Sequence, residues 1–232
     1  MSDTAPAIPD AIRDALSAYQ EHSTFRGCSP EDYATLYRVV RRIKPRYALE
    51  CGTGVSTLVL AHALRENGFG HLTSMEEDPQ YYQQQLDLFP QGLRSVVDIR
   101  LSPREDTYFH CFRGTHYAEV PALPYRFVFI DGPNYTSVSD EQVSCNLDFL
   151  DVVRRAERNV FGLLDGRLST AFVLQSIFPK RKVRTNVDTM LTWLGPCTKQ
   201  DIPVIRHREL LETLARRALR TGRRRNTSVA LR

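Results

Sequence analysis

Three acids and a glycine turn stand where side-chain chemistry could gather: Glu50-Cys51-Gly52-Thr53-Gly54, Glu76 and Asp131. At the first, the apolar run Tyr47-Ala48-Leu49 ends in a carboxylate, breaks into Gly-x-Gly and opens an apolar helix pattern at Val55. Such a turn leaves backbone N–H groups and the positive end of a helix facing one spot. Glycine lets the backbone approach a ligand closely or adopt positive φ. The stretch reads as a cradle for a small molecule, with Ser56 and Thr57 beside it in the first helical turn.

The acids narrow the choice of molecule. A dinucleotide site reads G-x-G-x-x-G/A, its third glycine allowing close helix–strand packing. Here that position is the bulkier Thr57, and Glu50 sits two residues before the first glycine. A carboxylate at the mouth is a poor neighbour for a pyrophosphate and a good partner for an ammonium group. Glu76 follows the apolar Met75 at the close of a second strand read over His71–Met75, at the place where an acid can accept hydrogen bonds from both hydroxyls of a ribose. NAD enzymes use the same device, so Glu76 signals a ribose without choosing its owner. Glu77 reads as solvated. Asp131 ends the almost unbroken apolar run Tyr125–Ile130, which suits a strand buried on both faces, with its acid at the ligand-binding end of the sheet.

Positioning these groups takes alternating helices and strands. Asp10–His22 has helical spacing at Ile12, Ala15, Leu16 and Tyr19, and Ser29-Pro30-Glu31-Asp32 is a helix start that Pro45 closes off. Val55–Asn67 is a helix stopped by Gly68-Phe69-Gly70, and Asp78-Pro79 caps a helix over Gln80–Phe89. Ser95–Leu101 alternates as a third strand, and Ser102 follows it. Residues 104–124 read as an irregular, aromatic loop: a substrate lid, part of an acceptor pocket, or a hydrophobic flap. His110, Cys111 and His116 lie in it at a spacing that fits no standard metal motif. A helix is expected over Asp140–Glu157, a strand over Asn159–Leu164 ending in Asp165, and a helix from about Leu168, which Asp165 could cap. Arg181–Val187 and Met190–Leu194 suggest a closing hairpin, and His207–Leu219 a terminal helix.

The acid-x-Gly-x-Gly of Glu50–Gly54, the acid Glu76 and the strand-ending Asp131 resemble, in order, the motifs of class I S-adenosylmethionine-dependent methyltransferases. The resemblance covers Arg46 to Leu194. It implies a doubly wound, seven-stranded, mostly parallel sheet with helices on both faces, the last strand antiparallel, and N-terminal helices added. It implies S-adenosylmethionine as cofactor, held by Glu50, Gly52, Thr53, Gly54, Ser56, Thr57, Glu76, Ser102 (near the adenine) and Asp131. Asp131 is also the candidate catalytic residue, as a base or by orienting the acceptor. The form Asp131-Gly132-Pro133 is similar to that of small-molecule O-methyltransferases, and differs from the Asn/Asp-Pro-Pro-Tyr/Phe of enzymes that methylate amide or adenine nitrogens. Metal-dependent relatives place divalent-metal carboxylates at strand ends like those of Asp131 and Asp165. In them, however, the second acid is followed by Asn, whereas this chain has Gly166-Arg167. A divalent metal is therefore conceivable and not expected.

Composition bounds the rest. The chain of 232 residues, 42% hydrophobic, can bury one sizeable core. It divides into a helical extension over 1–45, an α/β domain over 46–215 and a basic tail over 216–232. Seven arginines and no acids follow Ala215; without them the formal charge of +4 becomes −3. The body is thus mildly acidic, which favours a small-molecule hydroxyl as acceptor, while the tail could reach nucleic acid or stay solvated. Five scattered cysteines, none in a C-x-x-C pair, argue against a disulfide framework or zinc site and suit a reducing cytoplasm. No run approaches a membrane span. Rival readings are an RNA or protein methyltransferase, an NAD-dependent oxidoreductase (for which no Tyr-x-x-x-Lys pair is recognisable) and a catalytically silent cofactor-binding module. Oligomeric state is not legible.

Overall fold

A computed structural model describes residues 8–23 and 28–204. Two leading helices, α1 (Asp10–His22) and α2 (Pro30–Ile43), precede the sheet. The capping expected at Ser29 is present: its hydroxyl accepts from Asp32 N, and Asp32 Oδ2 accepts from Ser29 N, an arrangement worth about 1 kcal/mol. Next come β1 (Tyr47–Cys51), α3 (Val55–Asn67), β2 (His71–Glu76) and α4 (Pro79–Leu88). Asp78 caps α4 by accepting from Gln80 N and Tyr81 N, and Gly68 ends α3 in the left-handed region at φ 75°. After a 3-10 turn at Gln91–Val96 follow β3 (Val97–Leu101), β4 (Arg104–Phe109), β5 (Phe112–Tyr117), β6 (Phe127–Ile130), α5 (Asp148–Arg155), β7 (Val160–Leu164), α6 (Leu168–Ile177), β8 (Val183–Thr185) and β9 (Thr192–Cys197).

Seven strands form one sheet in the order β3-β2-β1-β6-β7-β9-β8. Strands β3, β2, β1, β6 and β7 are parallel, and β9 runs antiparallel to both of its neighbours. The two-residue period of a strand divides the core between the two faces. Ala48, Phe127, Phe129 and Leu163 pack with α1, α2 and α3. Leu49, Cys51, Val128, Ile130 and Leu164 pack on the other side with α5 and α6. The expected doubly wound α/β architecture, with helices on both faces and an antiparallel strand near the end, is the observed one. Order reverses between β1 and β6, so the carboxyl ends of these two strands flank a topological switch point, the usual ligand crevice of such sheets.

Three expectations need correction. Residues 104–117 are an antiparallel hairpin, β4 with β5, turning at His110 (φ 53°). Their side chains lack the apolar alternation of a half-buried strand. The hairpin is held instead by its ladder and by Asp106, whose carboxylate accepts from Ser137 Oγ, Val138 N, Ser139 N and Ser139 Oγ. Helix α5 begins at Asp148 rather than Asp140. The preceding chain is drawn into a loop by Ser144 N to Tyr135 O and by a left-handed Glu141, and by Thr115 N to Cys145 O. Glu77 is tied rather than free: it pairs with Arg104 at 3.2 Å and accepts from Asn134 N at 2.6 Å. The terminal helix expected over His207–Leu219 and the basic tail lie outside the described residues.

Candidate active site

At the end of β1 the chain turns at Gly52 (φ 97°). A Cβ there would stand 2.9 Å from Asp131 C, and one on Gly132 would stand 2.7 Å from Gly52 Cα. Two landmarks far apart in sequence therefore meet backbone to backbone, and only glycine permits it. Thr57 is fully buried, and its hydroxyl accepts from Gly54 N at 3.0 Å and lies 3.4 Å from Ser74 Oγ. That satisfies one of the amides that a third glycine would leave open.

Glu50 is fully buried; Ser74 Oγ donates to its Oε2 at 2.6 Å, and Oε1 has no partner among the described residues. Burial pushes its carboxyl up to about 7, against the nearby hydroxyls of Ser56, Ser74 and Thr57, with Asp131 adding to the rise. Glu76 accepts from Thr53 N and Thr53 Oγ1 on one oxygen and from Glu77 N and Asp78 N on the other. It clamps the glycine turn to the end of β2. Burial raises it too.

Asp131 carries the pair from the β6 side. Burial pushes it up to about 6, opposed by the Arg167 guanidinium and reinforced by Asp165. Arg167 donates to Asp131 O and lies 3.4 Å from Asp131 Oδ1; it also donates to Pro133 O at 2.7 Å and Asn146 Oδ1 at 3.0 Å. Its guanidinium stands 5.5 Å from the Tyr135 ring centroid. Arg167, Asn146 and Tyr135 were not read from the sequence as site residues. The signal for Arg167 was its place directly after Asp165-Gly166, where metal-dependent relatives differ.

Of the sequence-predicted residues, Glu50, Gly52, Thr53, Gly54, Ser56, Thr57, Glu76 and Asp131 gather at this one place. Ser102 stands at the end of β3, its amide donating to Glu76 O at 2.8 Å, but its hydroxyl accepts from Glu119 N at 3.0 Å and contacts Pro103 O. Asp165 does not cap α6: Arg167 is the residue before that helix, with no side-chain cap, and Asp165 Oδ2 accepts from Cys28 Sγ at 3.4 Å. Cys28, Asp131 and Asp165 bring one ligand atom each within 4.8 Å of one another. This trio is a poor fit to a metal. Magnesium and calcium take oxygen sets of six or more, a soft thiol does not belong there, and a guanidinium already neutralises Asp131.

Glu50 carries a stability consequence. Its folded-state pKa lies above the ordinary carboxylate value, so the folded protein binds the proton more tightly than the unfolded chain, and stability falls as pH rises from 4.5 to about 7. The loss at pH 8 is about 3 kcal/mol. Glu50→Gln removes it: the ligand-free variant unfolds at higher urea than the parent at pH 8 and not at pH 4.5. A variant whose stability changes with pH just as the parent's does would refute this.

A family model described as a methyltransferase domain matches residues 49–165, half of the chain. The chain belongs to that family, and its fold is that of the class I, S-adenosylmethionine-dependent methyltransferases. No curated protein matches it. Among solved structures, cofactor-bound Rv0187 from MTB is similar over 82% of this chain and 91% of its own, with 16% identity and a TM-score of 0.50. A methyltransferase from Geobacter sulfurreducens shares 13% identity over 83% of this chain and 94% of its own, TM-score 0.49. The SAH-bound methyltransferase PaMTH1 from Podospora anserina shares 16% identity over 70% of this chain, TM-score 0.48; this chain spans 64% of its length. The likeness to the first of these is one of fold. Among the described residues no helix is long and apolar enough to cross a membrane.

Proposed function

We propose that this protein methylates a hydroxyl of a small molecule, holding S-adenosylmethionine at the glycine turn and the acceptor at Asp131. The observation that carries the reading is the backbone contact of Gly52 with Asp131 and Gly132, which sets a raised, ionisable carboxylate beside the turn. The buried, unpartnered Oε1 of Glu50 fits a cationic group, so the residues suit the ammonium of that cofactor. When bound, S-adenosylmethionine supplies an electrophilic methyl group on its sulfonium. Glu50 would take the ammonium, the amides of residues 52–54 with Ser56 and Thr57 would line the turn, Glu76 would meet the ribose hydroxyls, and Ser102 would border the adenine. Asp131 accepts the hydroxyl proton at its carboxylate, while Arg167 fixes the backbone of residues 131–133 and supplies the positive charge that a metal would otherwise bring. Tyr135 and Leu168 flank Arg167 and leave apolar surface exposed, which suits an acceptor with an aromatic or apolar body.

The test is thermal stabilisation by S-adenosylmethionine, S-adenosylhomocysteine and NAD side by side. At a hundred times its Kd a native-state ligand adds about 2.7 kcal/mol. The first two are expected to raise Tm and NAD to leave it unchanged. Methyl transfer to a panel of hydroxyl acceptors is then expected to survive EDTA. Stabilisation without transfer to any acceptor supports the silent-module alternative, and activity abolished by EDTA overturns the metal-free reading. The seven arginines after Ala215 favour a second reading, RNA as acceptor or partner. Deleting the residues after Leu219 and measuring RNA binding at two salt concentrations tests it.

A further inference from the structure

A cavity of about 860 Å³ lies at the end of the sheet opposite the glycine turn, a volume typical of small-molecule sites. Three segments wall it: the α2–β1 connection, the Pro-rich stretch leading into β6, and the end of α5. Its lining brings together Lys44, Arg46, Arg126, Arg155 and Arg158, with Glu157 as the one acid. The body of the chain is net acidic, so five cations on one cavity are a local inversion of charge. Among the described residues none of the five is in an ion pair. The partners they do have are weak. Arg155 Nε donates to a carbonyl of its own helix, Asp151 O, at 3.2 Å. The Arg46 guanidinium lies 5.8 Å from the Tyr47 ring centroid. Arg126 Nε is buried and makes no hydrogen bond. A buried guanidinium nitrogen without an acceptor is unfavourable until one arrives.

Lys44 is placed by the end of α2. It is the residue after α2 and sits in the left-handed region at φ 48°, where helices ordinarily end in glycine. Its ammonium therefore stands at the carboxyl end of α2, on the rim it shares with the four arginines. The rest of the lining is apolar, with Val120, Pro121, Leu123 and Pro124 along one side.

We infer that this cavity binds an organic polyphosphate, its phosphates on the arginines and Lys44 and its organic part against the 120–124 wall. Guanidinium groups match phosphate oxygens in pairs. Five cations against one acid leave more positive charge than one phosphate dianion neutralises, so the site suits two or more phosphates. The apolar 120–124 wall beside the cations favours a small molecule with an organic part over a polymer's phosphate backbone. The site is independent of the methyl acceptor and stands or falls separately from it.

Calorimetry on the full chain at low salt, with S-adenosylhomocysteine at saturation to occupy the glycine turn, uses pyrophosphate and ADP as probes. Both are expected to bind, ADP the more tightly, and to weaken as salt is raised. Arg126→Gln with Arg158→Gln is expected to weaken both at least about tenfold while leaving S-adenosylhomocysteine affinity unchanged. Lys44→Gly gives a second variant that suits the left-handed backbone; it is expected to keep or raise Tm and still weaken both probes. Absence of heat with both probes overturns the inference. So does binding that neither variant reduces, which would put the phosphates on the arginine tail, or binding of a short single-stranded RNA where ADP and pyrophosphate fail.

Discussion

Gly52→Ala will lower stability by about 3 kcal/mol and weaken S-adenosylhomocysteine roughly a hundredfold. Two terms combine there. The backbone sits at φ 97°, which a Cβ disfavours, and the added carbon would meet the carbonyl carbon of Asp131 at 2.9 Å. Backbone cannot yield as a flexible side chain does, so β6 must retreat and take Asp131 with it. Gly68→Ala is the matched control. Its φ of 75° brings the same kind of conformational cost, but nothing lies within 4 Å of the new carbon. That variant is expected to lose about 1 kcal/mol and to bind S-adenosylhomocysteine as the parent does. Urea midpoints and calorimetry decide it, and equal behaviour of the two variants would refute the close contact.

Asp131→Asn should cut kcat by a factor of about a hundred or more, the usual range for a lost general base, with S-adenosylhomocysteine affinity changed less than about tenfold. The amide keeps the shape and the Arg167 contact but cannot take a proton. In the parent, the carboxylate titrates at about 6, so kcat/KM for the acceptor falls as pH drops through 6. Glu50 titrates at about 7, and its protonation appears instead as weaker cofactor binding. The two therefore separate: acceptor kcat/KM measured at saturating cofactor reports Asp131, and cofactor Kd against pH reports Glu50. An asparagine variant within threefold of parental kcat would remove Asp131 from the chemistry.

Much of this was legible because it is local. Ser29-Pro30, Gly68 and Asp78-Pro79 punctuate helices through bonds to residues two to four positions away, so their signals survive in the bare sequence. Glu50 and Asp131 could be placed because a buried parallel strand is a short apolar run and its carboxyl end is where the run stops. What was missed depends on distant partners. The 104–117 hairpin is fastened by Asp106 to residues 137–139, and nothing in its own side chains alternates. Val143 and Leu147 mimic a helical stripe, yet Ser144 N bonds to Tyr135 O and the chain there is a loop. Arg167 reads as a departure from a motif until it is seen reaching back to Asp131 and Pro133. For the same reason the cation-lined cavity had no sequence signature: its charges come from three segments that meet only in the fold.

The leading helix meets the cofactor turn through its packing on α3 and through a hydrogen-bond relay. Tyr19 donates to Gln85 Oε1, and Gln85 Nε2 donates to Gly54 O at 3.3 Å. A segment far upstream of the glycine motif thus shares one amide side chain with it, and Gln85 is bonded from both directions. Because the same helix also contributes Ile12, Leu16 and Tyr19 to the core, the glycine turn and the leading helix are braced by one shared scaffold.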